Sequence, residues 1–287
     1  MDRKVSILIF ICFIMLIGWK DAVSQPVVDG YMKGKGNIDV VPGLSVENYS
    51  NFFGRLNELT TIKRTSISLS LYSAMGITEW LDAQVSVPYV FVNEDFNGMQ
   101  DFSAYLKGAI FNKDCKNGTN FRLMISGGTS FPMSDYNTEN VFSIGQQAKA
   151  LDGRIIIQIT RQNGFFIMGQ GGYTNREEPV PSSYPAAIKI GWAKDKHYID
   201  IYYDQQIAIG GNDYLDYKQE RRDFGSTDIT FRSLGVSYGK IGLSYYKPFK
   251  NNSGISFGGS YVLWGRNVGQ AIMVSASFVK RFSFSNS

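Results

Sequence analysis

Few side chains in this sequence could break or make bonds. Hydrolysis at the rim of a β-structure needs a base beside a serine or a water, and histidine is the usual base. The single histidine, His197, stands in Lys194-Asp-Lys-His, a run that forms a turn rather than a pocket. Asp213, Asp216 and Asp223 share one long connecting stretch, and paired aspartates there would suit a rim protease. With no histidine beside them they read as solvated loop charges. Cys115 sits in a Lys/Asn/Gly-rich turn with nothing to activate its thiol. There is no metal-ligand spacing and no phosphate-cradling glycine loop, so no metal and no cofactor are expected. The enzyme class is set aside.

A second kind of chemistry, the pairing and steering of charge, has many candidates. Arg64, Lys107, Arg122, Arg154, Lys189 and Arg232 stand in mid-segment among alternating apolar residues, as do Asp82, Asp152, Asp200, Asp204 and Asp228. Such a near-balanced set either pairs across an enclosed space and closes it, or lines a narrow wet path. Unpaired charges in a confined lumen are costly, so pairing is the economical expectation. Guanidinium groups hold bidentate contacts to carboxylates. Arg64, Arg122 and Arg154 are therefore the expected gate or substrate contacts, facing Asp82, Asp152 or an anionic substrate.

Those charges need an element that alternates faces. From Leu81 onward, Leu81, Ala83, Val85, Val87, Tyr89 and Phe91 fall on one side and Asp82, Gln84 and Ser86 on the other. A two-residue period is a β-strand with one apolar and one polar face. Twelve such segments are expected, at about 36–48, 62–75, 80–93, 102–112, 120–132, 148–161, 165–174, 185–194, 197–209, 226–248, 255–265 and 270–284. In the tenth segment the alternation changes phase near Gly239, the mark of a bulge or a missed turn. Tight Gly/Asn/Asp/Lys connections (76–79, 113–119, 162–164, 195–196, 251–254) alternate with longer ones (49–61, 94–101, 133–147, 175–184, 210–225).

Short connections at one end and long ones at the other are the pattern of a transmembrane antiparallel β-barrel in a bacterial outer membrane. An even strand count puts both termini on the periplasmic side. The N-terminus fits export in a Gram-negative bacterium. Met1-Asp-Arg-Lys, an apolar run from Val5 to Trp19 and Ala22-Val-Ser read as a signal peptide (1–24) that is cleaved, followed by one barrel domain (25–287). The apolar run is shorter than the ~20 residues of a spanning helix. Only Cys115 remains beyond that leader, which excludes an internal disulfide within the mature chain. The chain has 29 Lys and Arg against 25 Asp and Glu, with no basic stripe, so no nucleic-acid partner is expected. Aromatic Phe282 and Phe284 close the last strand, near the position that barrel-assembly machinery reads in outer-membrane proteins.

The stretch "LSLYSAMGITEWLDAQVSVPYV" (Leu69–Val90), with "IGQQAKALDGRIIIQ" (Ile144–Gln158) and "WGRNVGQ" (Trp264–Gln270), resembles the outer-membrane barrel family named after the phenol meta-pathway. The motifs are short; their order spans most of the chain. Glu79 departs from the Asp usual at that turn. The resemblance implies an outer-membrane channel for small, hydrophobic molecules, in the style of fatty-acid transporters, with no phenol chemistry. Its partners would be outer-membrane lipids and a small-molecule substrate. The alternative is a sealed structural or surface-interaction barrel whose loops bind partners. A twelve-stranded barrel is wider than an eight-stranded one, whose interior side chains fill, and narrower than an open porin.

Overall fold

The computed structural model describes residues 29–93, 96–136, 138–195, 197–224 and 229–284. The expected leader and Asp228 lie outside these. The strands are β1 (Asn37–Phe53), β2 (Leu59–Gly76), β3 (Leu81–Val92), β4 (Phe96–Met99), β5 (Asp101–Cys115), β6 (Thr119–Pro132), β7 (Ala150–Arg161), β8 (Phe165–Arg176), β9 (Ser183–Lys194), β10 (His197–Ala208), β11 (Ser237–Pro248), β12 (Ser253–Arg266), β13 (Val268–Gly269) and β14 (Ile272–Ser283). Two of them, β4 and β13, are short rim pieces on β3 and β1. The other twelve form one antiparallel sheet, each beside its neighbour in sequence. β1 closes it by pairing with both β2 and β14, from Ile38↔Met75 and Asn37↔Ser283 onward. Closure leaves no open strand edge, so the backbone of the wall is paired strand to strand all the way round, the condition for crossing a bilayer with strands.

The period-2 pattern decides the faces. In β7, Ala150, Asp152, Arg154, Ile156 and Gln158 are buried inward, while Leu151, Ile155, Ile157 and Ile159 stand outward and exposed. Leu69, Val85, Leu106 and Ile201, expected on the outer face, are all exposed there, Ile201 at 61%. The outside of the barrel is thus an apolar belt and the inside is mostly polar.

The tight turns lie at one end, together with the start of β1 and the end of β14. In the β11–β12 connection, residues 249–252, Asn251 and Asn252 take successive left-handed conformations (φ 61° and 52°), which asparagine tolerates better than most residues. Gly164, at φ 93°, passes so close to the Ala193 carbonyl that a Cβ would sit 2.7 Å from its oxygen. At the other end the connections differ from expectation. β1 runs on to Phe53 and β2 begins at Leu59, so the first long connection shrinks to residues 54–58. The asymmetry is carried chiefly by residues 133–149 and 209–236.

The second of these corrects the sequence reading twice. Residues Tyr214–Phe224, expected as plain loop, form an α-helix (α1). The strand expected from 226 starts only at Ser237, after a single helical turn at Phe231–Ser233. Arg232 is therefore a loop residue, not a strand residue. The expected phase change is present: the β11–β12 register shifts between Gly239 and Lys240.

Candidate functional site

The lumen holds the polar phase of the strands, and it is filled from both ends. At the short-turn end the segment before β1, residues 29–36, turns into the barrel mouth. Lys107 of β5 is fully buried there and organises it. Its Nζ donates to the carbonyl oxygens of Asp29 (3.0 Å) and Tyr31 (2.5 Å). The same ammonium stands 3.3 Å from the Asp29 carboxylate and 3.4 Å from that of Asp82, which is also fully buried. Asp82 in turn accepts from the backbone N–H of Lys33 at 3.1 and 3.2 Å. Lys33 Nζ completes the cluster with Asp39 at 3.2 Å, and Asp39 is gripped by Arg281 at 2.7 and 2.8 Å. Between these charges Tyr31 packs edge-on against Phe166 and Tyr198. Phe166 belongs to an apolar cluster inside the barrel with Tyr105, Met124, Ile156 and Met168. Gly128, opposite Tyr105, leaves room for that ring, since a Cβ there would meet it at 2.3 Å.

Further along, Arg154 holds Asp152 in a two-pronged contact (Nε to Oδ1 2.8 Å, Nη2 to Oδ2 3.2 Å), with Thr174 donating to the same carboxylate at 2.7 Å. Asp204 pairs with Lys240 at 3.1 Å. Asp200 accepts from the Tyr198 hydroxyl and lies 3.8 Å from Lys189.

At the long-loop end the 133–149 connection folds inward. Arg232 fastens it, donating to the carbonyls of Gln146 and Gln147, both at 3.0 Å. Gln146 returns a bond to the Leu234 carbonyl, and Arg64 of β2 donates to the Ser143 carbonyl at 3.1 Å. Below this lid lies a cavity of about 320 Å³, lined by Arg64, Arg176 and Lys240 together with apolar side chains such as Phe52, Ile144 and Val262. Above it the rim is tied by Asp213, which takes Arg266 at 2.7 Å and Arg55 at 3.2 Å. Burial pushes the Asp213 carboxyl up, yet Arg266 and then Arg55 outweigh it and hold it below its ordinary value. That corrects its reading as a solvated loop charge.

Of the residues expected in the lumen, Asp152 meets Arg154 and Asp82 meets Lys107. Arg64 instead holds the loop, and Arg232 does so from outside the wall strands. Arg122 is inward and half-buried, with its Nε buried and without a hydrogen-bond partner among the described residues. His197 opens β10 at the tight turn and Cys115 is exposed at the end of β5. The sequence reading missed Asp29, Lys33, Asp39, Arg176 and Lys240. Lys240 was hidden by the phase shift beside it. Asp29 and Lys33 lie in a stretch with no periodicity, where only two charges spaced four apart around Tyr31 could have hinted at a partner.

No family model matches the chain, and no curated protein matches it. Among solved structures it is similar to an outer membrane channel from Pseudomonas putida F1, at 14% identity and a TM-score of 0.70. That match covers 90% of this chain and 100% of the other. It is more remotely similar to the translocator domain of autotransporter NalP from Neisseria meningitidis (13% identity, TM-score 0.45, 87% and 89% covered). The KdgM porin is at a comparable distance (7% identity, TM-score 0.44, 85% and 99% covered). Only the first bears on the fold, which is that of an outer-membrane β-barrel.

Proposed function

We propose that the protein is an outer-membrane channel that passes small, partly hydrophobic molecules, with no bond-breaking chemistry of its own. The observation that carries this reading is the make-up of the two closures. Wall side chains, among them the Phe166 cluster and the Arg154–Asp152 pair, occupy the middle of the lumen, while its two mouths are closed by chain outside the wall strands: residues 29–36 at one and the inward 133–149 connection at the other. A cavity remains between them. Closures held by a few ion pairs and hydrogen bonds can move without disturbing the barrel. The mixed lining of the cavity, charged on some sides and apolar on others, suits molecules with both characters. The resemblance to the phenol meta-pathway family agrees with this, as does the fold shared with an outer membrane channel.

In this reading outer-membrane lipids surround the apolar belt, the barrel-assembly machinery inserts it, and the short-turn end faces the periplasm. The second reading, a sealed barrel with partner-binding loops, draws on the same fact that both mouths are filled. Planar-bilayer recording and liposome swelling with small solutes separate the two. Discrete conductance steps and size-dependent swelling are expected. Absence of both, in protein shown to be folded and inserted, favours the sealed barrel.

A further inference from the structure

We propose that the cavity under the inward loop is a binding site for an amphipathic organic monocarboxylate, with Arg176 as its anion-holding pole; the idea that this ligand is a passenger rests on the channel reading. Arg176, at the end of β8, is half-buried and lines the cavity. Its Nη1 donates to the Pro181 carbonyl (3.3 Å) and Ser183 Oγ (2.6 Å), and Nη2 to Gln206 Oε1 (3.1 Å). All three acceptors are neutral. A guanidinium has five N–H groups, so these bonds orient the fork and leave donors unspent. The carboxylates nearby are engaged elsewhere. Asp152 is held by Arg154 and Thr174, Asp204 by Lys240, and Asp101 accepts from the Tyr136 hydroxyl at 2.7 Å. Among the described residues none stands within ion-pairing distance of Arg176. A positioned guanidinium at a cavity, with no carboxylate within ion-pairing distance among the described residues, is a place for one to be supplied from outside.

The rest of the lining fixes the class further. Arg64, Arg176 and Lys240 line the cavity with the carboxylates Glu47 and Asp101, and Lys240 is neutralised by Asp204, so what the site offers an added carboxylate is the Arg176 fork rather than a surplus of positive charge. A planar, two-oxygen anion matches the guanidinium fork. The walls also carry a large apolar share, Tyr49, Phe52, Val90, Ile144, Val180 and Val262, beside neutral polar groups such as Gln100, Ser130 and Ser260. An inorganic anion would leave those walls uncovered, and an alcohol of the same shape would leave the guanidinium unmatched. A cavity of about 320 Å³ takes a ligand of up to about a dozen non-hydrogen atoms at the small end of known sites.

The test uses the full protein in detergent, with labelled benzoate and its neutral counterpart benzyl alcohol as probes. Both are measured by equilibrium dialysis against protein-free micelles. Benzoate is expected to bind at least tenfold more tightly than benzyl alcohol. Arg176→Met should erase that preference. Gln206→Glu places a carboxylate against the guanidinium without removing it, and should weaken benzoate at least tenfold. Heat-modifiable gel mobility reports that each barrel is folded, and if the Arg176 variant does not fold, Gln206→Glu decides. The proposal is overturned if the wild type shows no preference, if neither probe binds up to millimolar concentration, or if the preference survives in a folded variant. Conductance is recorded separately. A conducting barrel with no carboxylate preference removes this ligand and leaves the channel, whereas preference without conductance keeps the site and removes the channel.

Discussion

Replacing Lys107 by Met takes away one ammonium that serves four oxygen partners. Two are carbonyls of the docked segment, at 3.0 and 2.5 Å, and two belong to carboxylates, Asp29 at 3.3 Å and Asp82 at 3.4 Å. Lys107 and Asp82 are both fully buried, so the variant strands a carboxylate with only the Lys33 N–H group to satisfy it. Removing one partner of a buried pair costs about 3–5 kcal/mol. Because the lost bonds bridge the wall to residues 29–33, much of that cost falls on docking of the segment. At roughly 1.4 kcal/mol per factor of ten, about 3 kcal/mol raises the undocked population about a hundredfold. Single-channel recording should therefore show openings about a hundred times more frequent, with the N-terminal segment newly open to protease from the short-turn end. The double variant Asp82→Asn, Lys107→Met removes the stranded carboxylate. It should regain thermal stability and bring the opening frequency part of the way back, leaving the share that belongs to the two lost carbonyl bonds. A folded Lys107→Met barrel with wild-type opening frequency would refute the idea that this ammonium holds a plug.

Three further perturbations address other parts of the molecule. Asp213 has its carboxyl held below the ordinary value by Arg266 and Arg55, so its contribution to the rim is complete above the unfolded carboxylate pKa of about 3.9 and fades as pH falls through the lower folded value. Protease nicking near α1 should rise as pH falls below about 4, and Asp213→Asn should show the raised rate already at neutral pH. Ile201, 61% exposed on the outer face, becomes costly when changed to Arg. If it lies near the bilayer midplane, reversible folding into lipid vesicles in urea should show a loss of about 2–4 kcal/mol. Arg232→Ala removes both bonds to the Gln146 and Gln147 carbonyls. It should free the inward loop and raise small-solute swelling rates with little change in the melting temperature of the barrel, and unchanged swelling would mean that the loop is held by other contacts.

Local sequence determined the wall. Alternation is a property of neighbouring residues on one strand, so the outward Leu69 and Ile201 and the inward Asp82, Asp152 and Arg154 could be read without knowing what lay opposite. Asn and Gly at the tight turns are equally local, since their left-handed conformations depend on the residue itself. Twelve strands and an apolar belt follow from those signals. What fills the lumen was decided only in three dimensions. Lys107 meets Asp29 across 78 positions, Arg281 meets Asp39 across 242, and Arg266 meets Asp213 across 53. No periodicity links such pairs, because the contact exists only once the sheet has closed and brought distant strands round one axis. The bulge beside Gly239 shows the boundary between the two. Its phase change is visible in the chain, yet whether Lys240 then points to lipid or to Asp204 depends on how β12 takes up the extra residue. The inward fold of residues 133–149 likewise rests on Arg64, expected to face Asp82, Asp152 or an anionic substrate, and on Arg232, expected among the charges of the lumen; both hold backbone carbonyls of that connection. A buried loop carries backbone carbonyls that must be satisfied, and here Arg64, Arg232 and Gln100, far apart in the chain, supply the donors.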